Sequence, residues 1–239
     1  MKLVTLNTWG GRAGKALLLD FFRKYKDVDV FCLQEISKVP FENFEGLLQE
    51  ISEALSGHQS YFHTQYLDHY GLQTLVKKNF AVTEDGEVYV YKYKGYIPEG
   101  DVGNHARNIQ YITLNLKDGP ITIINFHGLW DEKVQGKIDT ADRINQSKKI
   151  VEFVESLSNG FILCGDFNLL PDTESIAILE KAGLRNLIKE YGVTSTRTSF
   201  YTKPEKYADY IFVSQGIDVK TFKVLPEEVS DHSALFLEI

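Results

Sequence analysis

The chain has 239 residues, enough for one large domain or two small ones, and its apolar share of 43% with 13% aromatics excludes a disordered polymer. Acids outnumber bases 33 to 26 for a formal net charge of -7, which argues against a generic polyanion coat or a membrane-surface protein. An enzyme acting on an anionic substrate is not excluded, because a bound cation can supply positive charge locally.

In chain order, residues 3–6 read as a buried strand, and Ala16 to Leu19 with Phe21 and Phe22 open a helix. Residues 28–33 form a second apolar run, expected to stop as a strand at Gln34-Glu35. Phe44, Leu47, Leu48, Ile51, Ala54 and Leu55 fall on one helical face. The helical period then disappears, and residues 61–67, 71–76, 88–94, 109–116 and 121–126 read as strands, the last two joined by an Asp118-Gly119 turn. A second amphipathic helix carries Ile144, Val151 and Val154 on one stripe, with Ile150, Phe153 and Leu157 beside it. Strands over 161–164, 209–213, 219–224 and 234–239, and a helix over 175–182, complete the pattern.

Short turns between consecutive strands require antiparallel pairing, and the interleaved helices must cover sheet faces. Ten or more strands make a wide open sheet, so two packed sheets in a single domain over 1–239 are expected. Cys32 and Cys164 each lie inside an apolar run, as buried reduced thiols do. No stretch approaches the ~18 apolar residues of a membrane span. With no secretory leader visible at the start, a cytoplasmic monomer without stable membrane association is expected.

Several apolar strands end in acids or amides: Leu6-Asn7, Leu33-Gln34-Glu35, Gly165-Asp166-Phe167-Asn168 and Ser230-Asp231-His232. Asp166 and Asn168 are two apart, so in extended chain both point to the same side. A hard cation takes oxygen ligands such as Glu35, Asp231 and the Asn7 amide. Two carboxylates about 4 Å apart repel by roughly 4 kcal/mol at an effective dielectric of 20, so convergence of these acids calls for a cation. Asp209 opens an apolar strand and should find a partner. Each residue taken alone also suits a turn or a solvated strand end.

Taken together, Leu6-Asn7-Thr8-Trp9, Leu33-Gln34-Glu35, Asn125-Phe126-His127, Gly165-Asp166-Phe167-Asn168, Asp209-Tyr210-Ile211 and Ser230-Asp231-His232 resemble the endonuclease/exonuclease/phosphatase superfamily of deoxyribonuclease I-like phosphoesterases. The resemblance implies an α/β fold, a four-layer α/β/β/α sandwich of two mainly antiparallel mixed sheets flanked by helices. It implies a divalent-metal-dependent hydrolase of phosphate esters using Mg2+ or Mn2+. Glu35 would be the main ligand, with Asn7 and Asp231 near the same ion. His232 would activate water, oriented by Asp209, while Asp166 and Asn168 position the nucleophile and the phosphate oxygens. Arg107, Asn168 and His127 would contact phosphate. A histidine rather than a tyrosine at 127 points away from abasic-site repair. Within the superfamily a nuclease-type phosphodiesterase acting on nucleic acid or nucleotide is favoured. A phosphatase or phospholipid-headgroup diesterase is the alternative, and a catalytically silent binding module the remote one. Tyr89, Tyr91 and Tyr93, on one strand face, would either stack bases or pack across strands. Trp130 would cover a substrate group or pack beneath its loop.

Overall fold

The computed structural model describes residues 1–99, 102–131, 134 and 136–239. The first strand, β1 (Lys2–Asn7), is followed by α1 (Lys15–Lys24), β2 (Val30–Ser37) and α2 (Leu48–Ala54). Three strands come next, β3 (His58–Tyr66), β4 (Tyr70–Lys77) and β5 (Ala81–Tyr91). They lead into β6 (Arg107–Leu116), β7 (Gly119–His127) and α3 (Ala141–Glu155). The chain ends with β8 (Gly160–Asp166), α4 (Glu174–Lys181), β9 (Arg185–Asn186), α5 (Leu187–Glu190), β10 (Asp209–Val213), β11 (Thr221–Val224) and β12 (Leu235–Glu238).

These strands make two six-stranded sheets, ordered β11-β12-β1-β2-β4-β3 and β5-β6-β7-β8-β10-β9. Each sheet has one parallel pair at its centre, β1 with β2 and β7 with β8, and all other pairs are antiparallel. Alternation along the central strands sorts the core into layers. Leu3, Val30 and Cys32 enter the cluster between the sheets, whereas Val4, Leu6, Phe31 and Leu33 pack with Leu18, Phe21 and Phe22 of α1 on the outer face. Phe22 and Phe31 are fully buried and meet edge to face, each contributing roughly 1.5–3 kcal/mol by burial. The sandwich agrees with the fold expected from the sequence, and both cysteines are buried and unbridged. Among the described residues no helix is long and apolar enough to cross a membrane.

Near one rim the inter-sheet layer turns polar. Gln34 Nε2 donates to Asn125 Oδ1 at 2.7 Å, and Thr74 Oγ1 donates to Gln110 Oε1 at 2.8 Å. Thr5, Gln34, Thr74, Gln110 and Asn125 are all buried, so their partners had to come from each other.

Several boundaries differ from expectation. The strand through Glu35 continues to Ser37, because a bulge between Leu33 and Ile36 absorbs the turn expected there. The second helix begins only at Leu48; Phe44 lies ahead of it, stacked on Phe41 at 4.9 Å. The turn after β6 falls at Lys117-Asp118, since Gly119 already pairs with Leu116. β5 ends at Tyr91, and a register shift between Tyr89 and Tyr91 breaks the supposed tyrosine face. The short β9 and α5 were not expected at all, being too brief to carry a period.

Candidate active site

Sheet register assembles half of the site. In the second sheet His127 pairs with Asp166, and Asp166 with Asp209, so three consecutive strands deliver their terminal polar residues side by side. Gly165 makes this possible: its φ of 135° suits glycine, and a Cβ would clash with the Phe126 carbonyl oxygen. From the first sheet come Asn7, the last residue of β1, and Glu35, whose φ of 58° at the β2 bulge re-aims its side chain. The two halves join through Asn7, whose Nδ2 donates to Glu35 Oε1 at 3.1 Å and to Asp166 Oδ2 at 2.9 Å.

His232 sits in a loop stitched to residues 196–198. Thr198 Oγ1 donates to the Ser230 carbonyl, the Ser233 amide donates to the Thr196 carbonyl, and Arg197 bridges to His232. His232 Nδ1 lies 2.8 and 2.9 Å from the two Asp209 oxygens. As Asp209 is a carboxylate, Nδ1 carries the proton, which leaves the Nε2 lone pair of the neutral ring free. That Nε2 lies 3.6 Å from Asp166 Oδ2 and 3.7 Å from Asp231 Oδ1. Burial, and then the Arg197 charge, pull the His232 pKa down, but the Asp209 and Asp166 carboxylates together outweigh them and the net shift is upward.

Asp166 is held by the Asn7 amide and, through Oδ1, by the Asn168 backbone N–H at 2.8 Å. Burial works to raise its pKa, yet the neighbouring basic groups, His232 and Lys137 first, hold it well below the usual carboxylate range. Asn168 adopts φ 55° and donates from Nδ2 to the Gly128 carbonyl at 3.3 Å. His127 Nε2 lies 3.8 Å from Asp166 Oδ2 and 4.0 Å from Glu35 Oε1, while its Nδ1 has no partner among the described residues. Burial, and then the Arg107 charge, push the His127 pKa down to about 3, so this ring is neutral near pH 7. Arg107 is almost fully buried, bonds His105 and the Gly103 carbonyl, and has an Nε without a partner among the described residues.

The donor set fits a divalent cation. Burial raises the Glu35 pKa, and the Asp231 and Asp166 charges add to it, so the carboxylates repel one another. Asp231 Oδ1 is buried without a hydrogen-bond partner among the described residues, a cost that a cation would remove. One ligand atom each from Asp166, Asp209 and His232 also lie within 4.8 Å of one another. The His232–Asp209 hydrogen bond already occupies two of those three residues, so Glu35 and Asp231 suit the ion better. Asn7 departs from the expected ligand set: its Oδ1 accepts the Trp9 N–H at 2.9 Å, so it turns nitrogen, not oxygen, toward the carboxylates.

All nine expected residues except Asn7 and Asp209 line one cleft of about 460 Å³, and those two sit directly behind it, bonded to residues that do. Of the two placements open for Trp130, the structure has the ring lining the cleft; Tyr89, Tyr91 and Tyr93 do not line it. Phe41, Phe44, Trp9, Phe200 and Tyr201 form aromatic walls. Four lining cations escaped the sequence reading, Arg12, Lys137, Arg197 and Lys203, and two of them are bonded to expected site residues. Arg197 bonds Asp231 Oδ2 at 3.2 Å with its guanidinium 4.0 Å above the Tyr201 ring. Lys137, only 7% exposed, donates from Nζ to Asn168 Oδ1 at 2.6 Å. The one sequence signal near Lys137 is the helix cap after it, where Thr140 accepts the Arg143 N–H at 3.2 Å.

A family model described as the endonuclease/exonuclease/phosphatase family matches residues 4–232. No curated protein matches the sequence. Among solved structures, a mannosyl-6-phosphatase from Bacteroides thetaiotaomicron superposes with a TM-score of 0.75 at 20% identity, covering 100% of this chain and 98% of that one. A humanized D. rerio TDP2 gives 0.73 at 14% identity over 99% and 97% of the two chains. The human Nocturnin catalytic domain gives 0.67 at 19% identity over 99% and 93%. At such identities the superpositions speak for the fold, while the family match spans nearly the whole sequence. The chain belongs to the endonuclease/exonuclease/phosphatase family and is a phosphoesterase.

Proposed function

We propose that the protein hydrolyses compact phosphate esters with a divalent cation, Mg2+ or Mn2+, at Glu35 and Asp231. The observation that carries this reading is the His232–Asp209 pair, with Nε2 turned into a cleft lined by carboxylates and cations. A bound cation would neutralise charge building on the phosphoryl oxygens. The chain's own residues do the rest. His232 Nε2 takes a proton from the attacking water while Asp209 holds the ring in the required tautomer. Asn7 aligns Glu35 and Asp166, and Asp166 with Asn168 steers the nucleophile and a phosphate oxygen. Arg107 offers charge, and the neutral His127 offers a hydrogen bond, to the equatorial oxygens.

A compact substrate is favoured by the aromatic walls and by the net charge of -7, which disfavours long polyanions. A nuclease-type diesterase remains the second reading, because the rings of Trp130 and Phe200, 38% and 40% exposed, stand where a nucleobase could stack. The test uses purified protein stripped of metal and then given Mg2+ or Mn2+, on sugar phosphates, inositol phosphates, sphingomyelin, an oligonucleotide and plasmid. Hydrolysis that needs the metal and disappears in His232→Asn is expected. Turnover that survives chelation, or an active His232→Asn, refutes the proposal.

A further inference from the structure

We infer that Lys137 completes a three-sided phosphate cradle that selects the dianionic terminal phosphate of a phosphomonoester over a diester. The inference rests on the phosphoesterase reading above and narrows its substrate. A buried ammonium is costly unless something repays its desolvation, and a cleft-lining lysine with one described hydrogen bond leaves two N–H donors for a ligand.

The surrounding loop is built to keep Lys137 there. Arg143, 2% exposed, donates from Nε to the Leu129 carbonyl at 3.1 Å and from Nη1 to the Ile138 carbonyl at 2.6 Å, tying the two ends of the loop together. The Leu129 N–H is held by Gln146 Oε1, and the Lys137 carbonyl accepts the Leu170 N–H at 2.9 Å. Asp139 accepts from the Glu174 and Ser175 amides at the start of α4. Six hydrogen bonds therefore hold the residues on either side of one ammonium.

Position distinguishes this cation from Arg107. Arg107 opens β6, on one flank of His127 at the end of β7, whereas Lys137 bonds Asn168 just past the end of β8 on the other flank. A phosphate seated between them would meet three groups: the cation that Glu35 and Asp231 would hold, His127 with Arg107, and Lys137 with the Asn168 amide. A monoester has three terminal oxygens for these groups, whereas a diester has two and would press an ester substituent against a buried edge.

The charge count points the same way. Glu35, Glu42, Asp166 and Asp231 line the cleft with Asp209 behind them, against Arg12, Arg107, Lys137, Arg197 and Lys203, so the formal charges balance and one divalent ion would leave a surplus suited to a dianion. In the reaction water adds to phosphorus as the ester P–O bond breaks. His232 takes the water proton and passes it to solvent, and the alkoxide takes one from solvent, giving an alcohol and inorganic phosphate.

The test compares p-nitrophenyl phosphate with methyl p-nitrophenyl phosphate under Mg2+, for the unmodified protein, Lys137→Met and Lys137→Arg. The unmodified protein is expected to favour the monoester in kcat/KM by about tenfold or more, the worth of one charge-assisted hydrogen bond. Lys137→Met should lose about 100-fold on the monoester and only a few-fold on the diester, and Lys137→Arg should recover part of the loss. Titration calorimetry adds a readout without turnover: with Mg2+ present, inorganic phosphate should bind the unmodified protein about tenfold more tightly than dimethyl phosphate. That comparison stands even if Lys137→Met fails to fold. A diester preference, equal losses on both esters, or equal binding of the two phosphates overturns the inference and leaves the phosphoesterase reading intact. No turnover of either ester by the unmodified protein overturns both.

Discussion

Replacing Asp209 with asparagine tests the core of the proposed mechanism. Both carboxylate oxygens lie within 2.9 Å of His232 Nδ1, so the carboxylate accepts the Nδ1 proton whichever oxygen is nearer. An asparagine of the same shape either keeps an oxygen there without the charge, or turns its Nδ2 toward the ring. In the second case Nδ2 donates to Nδ1, the imidazole proton moves to Nε2, and no lone pair faces the water. Losing the charge-assisted bond costs about 1.5–3 kcal/mol, and populating the wrong tautomer adds to it. Together they amount to about 3–5 kcal/mol, or a fall in kcat of roughly 10²–10⁴-fold. The assay is Mg2+-dependent release of p-nitrophenol, with thermal melting and Mg2+ titration as controls. KM and metal affinity should stay within a few-fold, because Asp209 sits behind His232. A kcat within fivefold of the unmodified protein, in a variant that folds, would refute the assignment of His232 as base.

Four further outcomes are expected. Glu35→Gln should bind Mn2+ about 10–100-fold more weakly by calorimetry, and its metal-free form should melt no lower than the unmodified protein, since one buried charge is gone. Asn125→Ala should cost about 3 kcal/mol in urea unfolding, because it opens a cavity and strips Gln34 Nε2 of its 2.7 Å acceptor. Arg143→Met should lower stability by about 2 kcal/mol and speed hydrogen exchange at 129–131 and 136–138, with kcat falling more than Mg2+ affinity. The His63 clasp between β3 and β5 gives a pH signature in stability. Hydrogen bonding to Glu87 raises the His63 pKa against the pull of burial, with Asp85 adding to it. Burial would raise Glu87, but His63, Lys94 and Asn108 hold it down at about 2. The histidine contribution is therefore full below its ordinary value of 6.5 and fades as pH rises through the raised one, and the Glu87 contribution fades as pH falls from 4.5 toward 2. Thermal melts of His63→Gln should accordingly differ from the unmodified protein most near pH 5–6 and converge above pH 8.

Much of this was legible because strands impose simple rules. The apolar run into Gly165-Asp166 and the run out of Asp209 lie on antiparallel neighbours, and their register makes Asp166 and Asp209 direct partners. Once a two-sheet core is inferred, polar strand ends are expected at its rim. Glu35 was readable as a site residue, but the bulge that aims it was not, since a one-residue register shift leaves no compositional trace. Phe44 matched the helical stripe and yet belongs to the cleft wall; its cation–π contact with Arg12, 4.5 Å from the ring centroid, and its stack on Phe41 outweigh the period. In α3 the buried stripe begins with Arg143, Gln146 and Ser147, polar side chains that serve the loop before the helix, so hydrophobic periodicity locates only the second half of its inner face. Lys137 and Arg197 were invisible for a related reason. Both lie outside the helices and strands, and only tertiary hydrogen bonds bury Lys137 and pin Arg197 to Asp231.

The strain in this molecule is spatially ordered. Glu35 and Asn168 both adopt left-handed φ values, 58° and 55°, and Gly165 sits at 135° between them in the site. Asparagine and glycine tolerate such backbone cheaply, whereas for glutamate the conformation costs of order 1 kcal/mol or more. Asp166 and Asp209 at 2% exposure and Arg107 at 1% add desolvation costs at the same rim. The opposite ends of the same strands carry no comparable burden: Leu3, Ile121 and Ile162 pack as ordinary apolar residues. A fold selected for stability alone would relax that rim, and here the inter-sheet layer of Gln34, Thr74, Gln110 and Asn125 instead braces it with buried hydrogen bonds. Those bonds lock β2, β4, β6 and β7 in register directly beneath Glu35 and His127. The polar layer is therefore the foundation of the site, and weakening it should degrade catalysis before it unfolds the protein.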